Sequence, residues 1–116
     1  LYRFQFLGQY QSSNVNTGIG FRISNGTAVV STCIGKWNIS QAVDGTAKNF
    51  QIDQLNSTTN VTSASVQTAN TNATASGDGV FRVTTAGTMQ IQMGSETAGN
   101  QVLIQPDGIL LIEQIA

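Results

Sequence analysis

A chain of 116 residues with 5 basic groups, 6 acidic groups, one cysteine and no histidine carries a net charge of −1 and is sized for a single domain. Without histidine it cannot assemble a His/Cys zinc centre, a Ser-His-Asp triad or a Cys-His pair. Five cations are too few for a phosphate-binding surface, and no apolar run approaches a membrane span, so neither nucleic acid nor a membrane is an expected partner. No signal-like segment opens the chain. It starts at Leu1 rather than Met, as expected of a processed start or of a piece of a longer polypeptide.

Ser, Thr, Asn and Gln supply 46 residues, and Ile, Leu, Val, Phe, Met, Trp and Tyr supply 35. The apolar set suffices for one compact core. β-Branched residues are abundant and strong helix formers scarce, which favours an all-β domain with a neutral polar surface. Few charges need desolvating when subunits pack together.

Residues 2–10 alternate, with Tyr2, Phe4, Phe6 and Tyr10 on one face and Arg3, Gln5 and Gln9 on the other, the pattern of a half-buried strand. A polar loop follows over 11–17. Ile19, Phe21 and Ile23 then alternate with Gly20, Arg22 and Ser24 in a second strand. Asn25-Gly26 is a hairpin signal and predicts a third strand over 27–35. Cys33, in the apolar stretch 28–34, is expected as a small buried hydrophobe. A lone cysteine makes no intrachain disulfide.

Residues 37–44 fit no element. Phe50 and Ile52 predict a short strand near 47–53. The stretch 56–76 is almost all Asn, Ser, Thr and Ala, and suits a weak edge strand with long loops. Alternation returns at Gly79. Phe81, Val83 and Thr85 form one strand and Met89, Ile91 and Met93 another, read as a hairpin through Ala86-Gly87. Val102 and Ile104 mark a further strand, Pro106-Asp107-Gly108 a tight turn, and residues 109–115 the last strand. About eight short strands and no helix predict a two-sheet antiparallel β-sandwich, jelly-roll-like, as one domain over 1–116. No internal repeat suggests a β-helix or propeller.

Ile109, Leu110, Leu111 and Ile112 are apolar on both faces of the last strand. The outer face of a sandwich normally meets water. Such a strand needs a second cover, either a loop or another subunit, and these four residues are the candidate subunit interface.

Candidate chemistry is sparse. Gly18-Ile19-Gly20 lacks the third glycine and the helix of a dinucleotide fingerprint, so no cofactor is expected. Asp44-Gly45, Asp78-Gly79 and Asp107-Gly108 are ordinary turn pairs without calcium-loop spacing, and no metal site is expected. Each of the six acids has a turn or surface role, so paired-carboxylate hydrolysis is not expected and the chain is read as no enzyme. Asn-X-Ser/Thr sequons stand at Asn25, Asn38, Asn56, Asn60 and Asn72. Trp37 and Tyr10 are the candidate glycan contacts, with a glycan- or receptor-binding module as the alternative function. Trp37 capping the core at a strand end is the structural alternative.

Two stretches carry a resemblance. One is Tyr-Arg-Phe-Gln-Phe at 2–6 with Tyr-Gln-Ser-Ser at 10–13 and Thr-Gly-Ile-Gly-Phe-Arg-Ile at 17–23. The other runs from Gly79 through Phe-Arg-Val-Thr-Thr-Ala-Gly-Thr-Met-Gln-Ile-Gln-Met-Gly-Ser-Glu-Thr-Ala-Gly to the final apolar strand. Together, over about half the chain, they resemble small β-sandwich domains of tailed-bacteriophage virion proteins, similar in style to jelly rolls of the tumour-necrosis-factor and complement C1q type. The resemblance implies a structural role on the particle surface, as a capsid decoration, head-fibre or tail-fibre domain beside other virion proteins. It also implies self-association, as a homotrimer. No catalytic or ligand-binding residue carries over, and the middle of the chain, residues 36–76, shows no such likeness.

Overall fold

A computed structural model of the chain describes residues 1–24, 26–40, 47–52, 61–62, 66 and 68–116. Among them are nine strands and no helix. The strands are β1 (Tyr2–Ser12), β2 (Ile19–Ser24), β3 (Val29–Ser40), β4 (Ala47–Ile52), β5 (Val61–Thr62), β6 (Ala73–Thr85), β7 (Gln90–Ser95), β8 (Val102–Ile104) and β9 (Ile109–Gln114). They form two antiparallel sheets packed as a β-sandwich. The larger runs β4-β3-β6-β1, with β8 and β9 both on the far side of β1, and the smaller runs β5-β2-β7.

Strict alternation along β1 and β2 aims Phe4, Phe6, Tyr10, Ile19, Phe21 and Ile23 inward. Trp37, from β3, is fully buried at the centre. Its indole stacks on Phe21 of the opposite sheet at 4.7 Å and lies 5.9 Å from the tilted ring of Phe6. Each ring so buried contributes roughly 3 kcal/mol, so this cluster ties the two layers together. Room for the indole comes from Gly77, its partner across the β3–β6 ladder. A methyl group at 77 would overlap the ring. The Tyr10 hydroxyl donates to the Ser40 carbonyl at 2.8 Å, which gives that buried phenol its polar partner. Cys33 is buried in the same core.

Several sequence expectations need correction. The predicted hairpin between the second and third strands is not one, because β2 lies in the small sheet and β3 in the large one. Gly26 does take a positive φ of 44°, so turn chemistry operates, but the chain crosses between layers. Asn25 lies outside the described residues. The predicted hairpin through Ala86-Gly87 fails for the same reason, since β6 pairs with β1 and β3 while β7 pairs with β2. Alternation fixes which side of a strand is buried and leaves its neighbour open. β3 runs to Ser40 rather than ending at 35, and β6 starts at Ala73 rather than Gly79. Within the polar stretch 56–76 the strands described are the two-residue β5 and the start of β6.

Candidate functional site

The C-terminal segment builds the most unusual surface. Ile104 and Val102 lie opposite Tyr10 and Ser12 of β1, and Ile109 to Gln114 continue along Leu7 to Tyr2. β8 and β9 are therefore two lengths of one edge, both antiparallel to β1. Between them residues 105–108 face only Gly8 and Gln9, so the chain bulges outward. The Gln105 N–H donates to the Gln9 carbonyl at 2.8 Å, and Pro106, which has no N–H to donate, sits in the bulge. The Pro-Asp-Gly turn thus exists but does not reverse the chain.

β9 is apolar on both sides and covered on neither. Leu110 and Ile112 lie beside Phe6 and Phe4 on the inner face of the sheet, and Ile109 and Leu111 lie beside Leu7 and Gln5 on the outer face. Their exposures are 56% for Ile109, 47% for Leu110, 57% for Leu111 and 52% for Ile112. The inward pair stays exposed because the smaller sheet ends at β7. An open cleft of about 270 Å3 remains, with Leu110 and Ile112 on one side, Met89 and Ile91 on the other and Phe4 at its floor. On the outer face a second cleft, about 310 Å3, runs beside Leu7, Ile109 and Leu111. Met93, also inward-facing on β7, is about half exposed. In water such side chains forfeit most of their burial energy.

The backbone of this edge is also open. The Ile115 N–H donates to the Leu1 carbonyl at 2.9 Å, and the β1–β9 register continues this pairing at 113, 111 and 109. In an antiparallel ladder successive residues point their N–H and C=O groups to opposite sides. Leu110, Ile112 and Gln114 therefore direct theirs away from β1, and no strand among the described residues pairs there. Charge is nearly absent. Glu113 is paired with Arg3 at 3.2 Å, an exposed contact of small energetic weight.

The expected glycan platform is not on the surface. Trp37 and Tyr10 are each 0% exposed, so neither ring offers a face to a sugar. Trp37 is a core residue, as its structural alternative has it. A polar concavity lies elsewhere, on the outer face of β2 and β7. There Gly20 and Gly94 sit side by side and leave bare backbone between Arg22, held by Gln92, and Glu96, whose carboxylate accepts the Gly18 N–H.

Among the described residues no group of His, Cys, Asp or Glu side chains is placed to hold a metal ion. Asp78 faces Lys36 at 3.9 Å. Asp44, Gly45, Asn56 and Asn60 lie outside the described residues. The sequence reading missed the contribution of Met89, Ile91 and Met93 to an open seam. Their alternation signalled a buried face, but only the unequal widths of the sheets leave it uncovered. In comparisons with protein-family models, curated proteins and solved structures, nothing matches this chain.

Proposed function

We propose that the chain is a non-enzymatic structural module that works by self-association through β9, as a decoration or fibre domain on the surface of a bacteriophage particle. The observation that carries the assembly half of this reading is the edge strand itself: four successive large apolar residues, each about half exposed, on both faces of a sheet. Two or three such residues buried per subunit contribute several kcal/mol at roughly 25 cal/mol per Å2. The particle role rests on the resemblance of residues 2–23 and 79–112 to phage virion domains.

The test is sedimentation of the wild type and of Leu111→Asp. Leu111 points outward, so the change leaves the chain's own core intact. The wild type should sediment as an oligomer and the variant as a folded monomer. A wild type that stays monomeric at high concentration ends the reading, as does a variant that sediments like the wild type. The homotrimer implied by the resemblance is one stoichiometry this experiment can return. Binding of purified protein to mature phage heads or tails tests the particle role.

The glycan-binding alternative keeps one supporting observation, the glycine-floored trough of β2 and β7 with its planar polar groups. Under that reading, glycan-array binding survives Trp37→Phe and is lost in Arg22→Ala.

A further inference from the structure

We propose that β9 pairs with β9 of a second copy of this chain, antiparallel and centred on Leu111, so that two large sheets join into one across a two-fold axis. The inference rests on the reading of β9 as the subunit contact and gives that contact a register.

A free sheet edge with N–H and C=O groups pointing outward is matched bond for bond by another extended strand. Here the added strand must also be apolar on both faces, because β9 is. The chain contains such a strand: residues 109–112 are its longest unbroken run of large apolar residues. A second copy therefore supplies the complement.

Two-fold antiparallel pairing keeps inner faces with inner faces, so only registers that shift by two residues compete. Centred on Leu111, Leu110 lies opposite the partner's Ile112 and Leu111 opposite the partner's Leu111. Glu113 then falls opposite the partner's Ile109. Centring on Leu110 instead sets Glu113 against the partner's Asp107, a like-charge pair. Centring on Ile112 sets Leu111 against the partner's Glu113. Like-charge repulsion disfavours the first alternative, and apolar matching, with Leu111 on Leu111 and Leu110 on Ile112, favours the middle register over the second. It also uses the open backbone groups, since Leu110 and Ile112 carry outward N–H and C=O groups and would exchange hydrogen bonds with their counterparts. The inner cleft between β9 and β7 becomes continuous with its symmetry mate, and the partner's Leu110 and Ile112 extend its apolar wall.

Single cysteines test the register in a Cys33→Ala background. In this geometry the two Leu111 positions form a non-hydrogen-bonded pair, with Cα atoms about 4.5 Å apart, a spacing that accepts a disulfide. Under mild oxidation Leu111→Cys should convert to covalent dimer almost completely. Ile109→Cys alone should not, while the double variant Ile109→Cys, Glu113→Cys should. Hydrogen exchange on the unmodified protein gives a second readout: the amides of Leu110, Ile112 and Gln114 should exchange at least tenfold more slowly at associating concentrations than at dilution. Oligomers whose Leu111→Cys form fails to cross-link, whose Ile109→Cys form cross-links equally well, or whose outward amides stay unprotected overturn the register while leaving self-association standing. A wild-type trimer overturns the two-fold pairing, and a monomeric wild type overturns both readings.

Discussion

Thr27 and Thr88 hold each other across the two connections that pass between the sheets. The Thr88 N–H donates to the Thr27 hydroxyl at 3.0 Å, the Thr27 N–H donates to the Thr88 hydroxyl at 3.3 Å, and the hydroxyls lie 3.2 Å apart. The Ala28 N–H reaches the Thr88 carbonyl at 3.4 Å. Residues 61 positions apart thus clasp the arch from β2 to β3 onto the arch from β6 to β7.

Each threonine serves as an acceptor for the other's backbone. Thr27→Ala and Thr88→Ala should each destabilise the fold by about 1 kcal/mol, the ordinary net worth of such a bond. The double variant should lose less than the sum, because the hydroxyl–hydroxyl contact is lost in either single variant. Urea unfolding of the three variants measures this. Full additivity would show that the clasp does not operate as a pair.

Gly77→Ala places a methyl group where the Trp37 indole lies. The ring is wedged between both sheets and has nowhere to go, so the loss should reach about 1–3 kcal/mol or more. Chemical denaturation gives the magnitude, and near-ultraviolet circular dichroism should show the altered aromatic packing. Gly94→Ala, at an open surface position, should leave both signals unchanged.

Trp37 is the chain's single tryptophan, fully buried, and its indole N–H makes no hydrogen bond to the described residues. Its emission should be blue-shifted relative to indole in water and resist iodide quenching. Strong quenching in the native state would put the ring at the surface and return it to the glycan-binding candidates.

Proline substitutions should behave asymmetrically along β9. Leu111 turns its N–H toward β1, so Leu111→Pro should destabilise by about 1–3 kcal/mol through the lost bond. Ile112 turns its N–H outward, so Ile112→Pro should stay folded, because edge positions tolerate proline. It should nevertheless lose self-association. Equal destabilisation by the two changes would mean that both faces of the strand backbone are already in use within the chain.

Much of the layering was readable from alternation alone. Phe4, Phe6, Ile19, Phe21 and Phe81 declared their buried side through period-two spacing. The start of β6 did not declare itself, since its inward residues Ala73 and Ala75 are small and sit among Thr and Ser. Their size is explained only by distant partners, with Ala73 opposite Tyr10 and Ala75 opposite Ile39. Trp37 misled for a related reason. A lone aromatic next to Asn38 reads like a surface platform until Gly77 and Phe21 are brought around it by the fold. Ile109 to Ile112 stood out as needing a cover. That both sides would be open required knowing that the strand lies at a sheet edge beside a narrower opposing layer, which no local pattern encodes.

The bulge at residues 105–108 has a further consequence for growth. Exposed strand edges invite unlimited stacking of chains, the route to fibrils. Here any incoming strand that zips along from Gln114 runs out of straight template at Gly108, and Pro106 withholds a donor just beyond. The straight template is thereby confined to the six residues of β9, so an incoming strand cannot carry its pairing along the whole edge into β8.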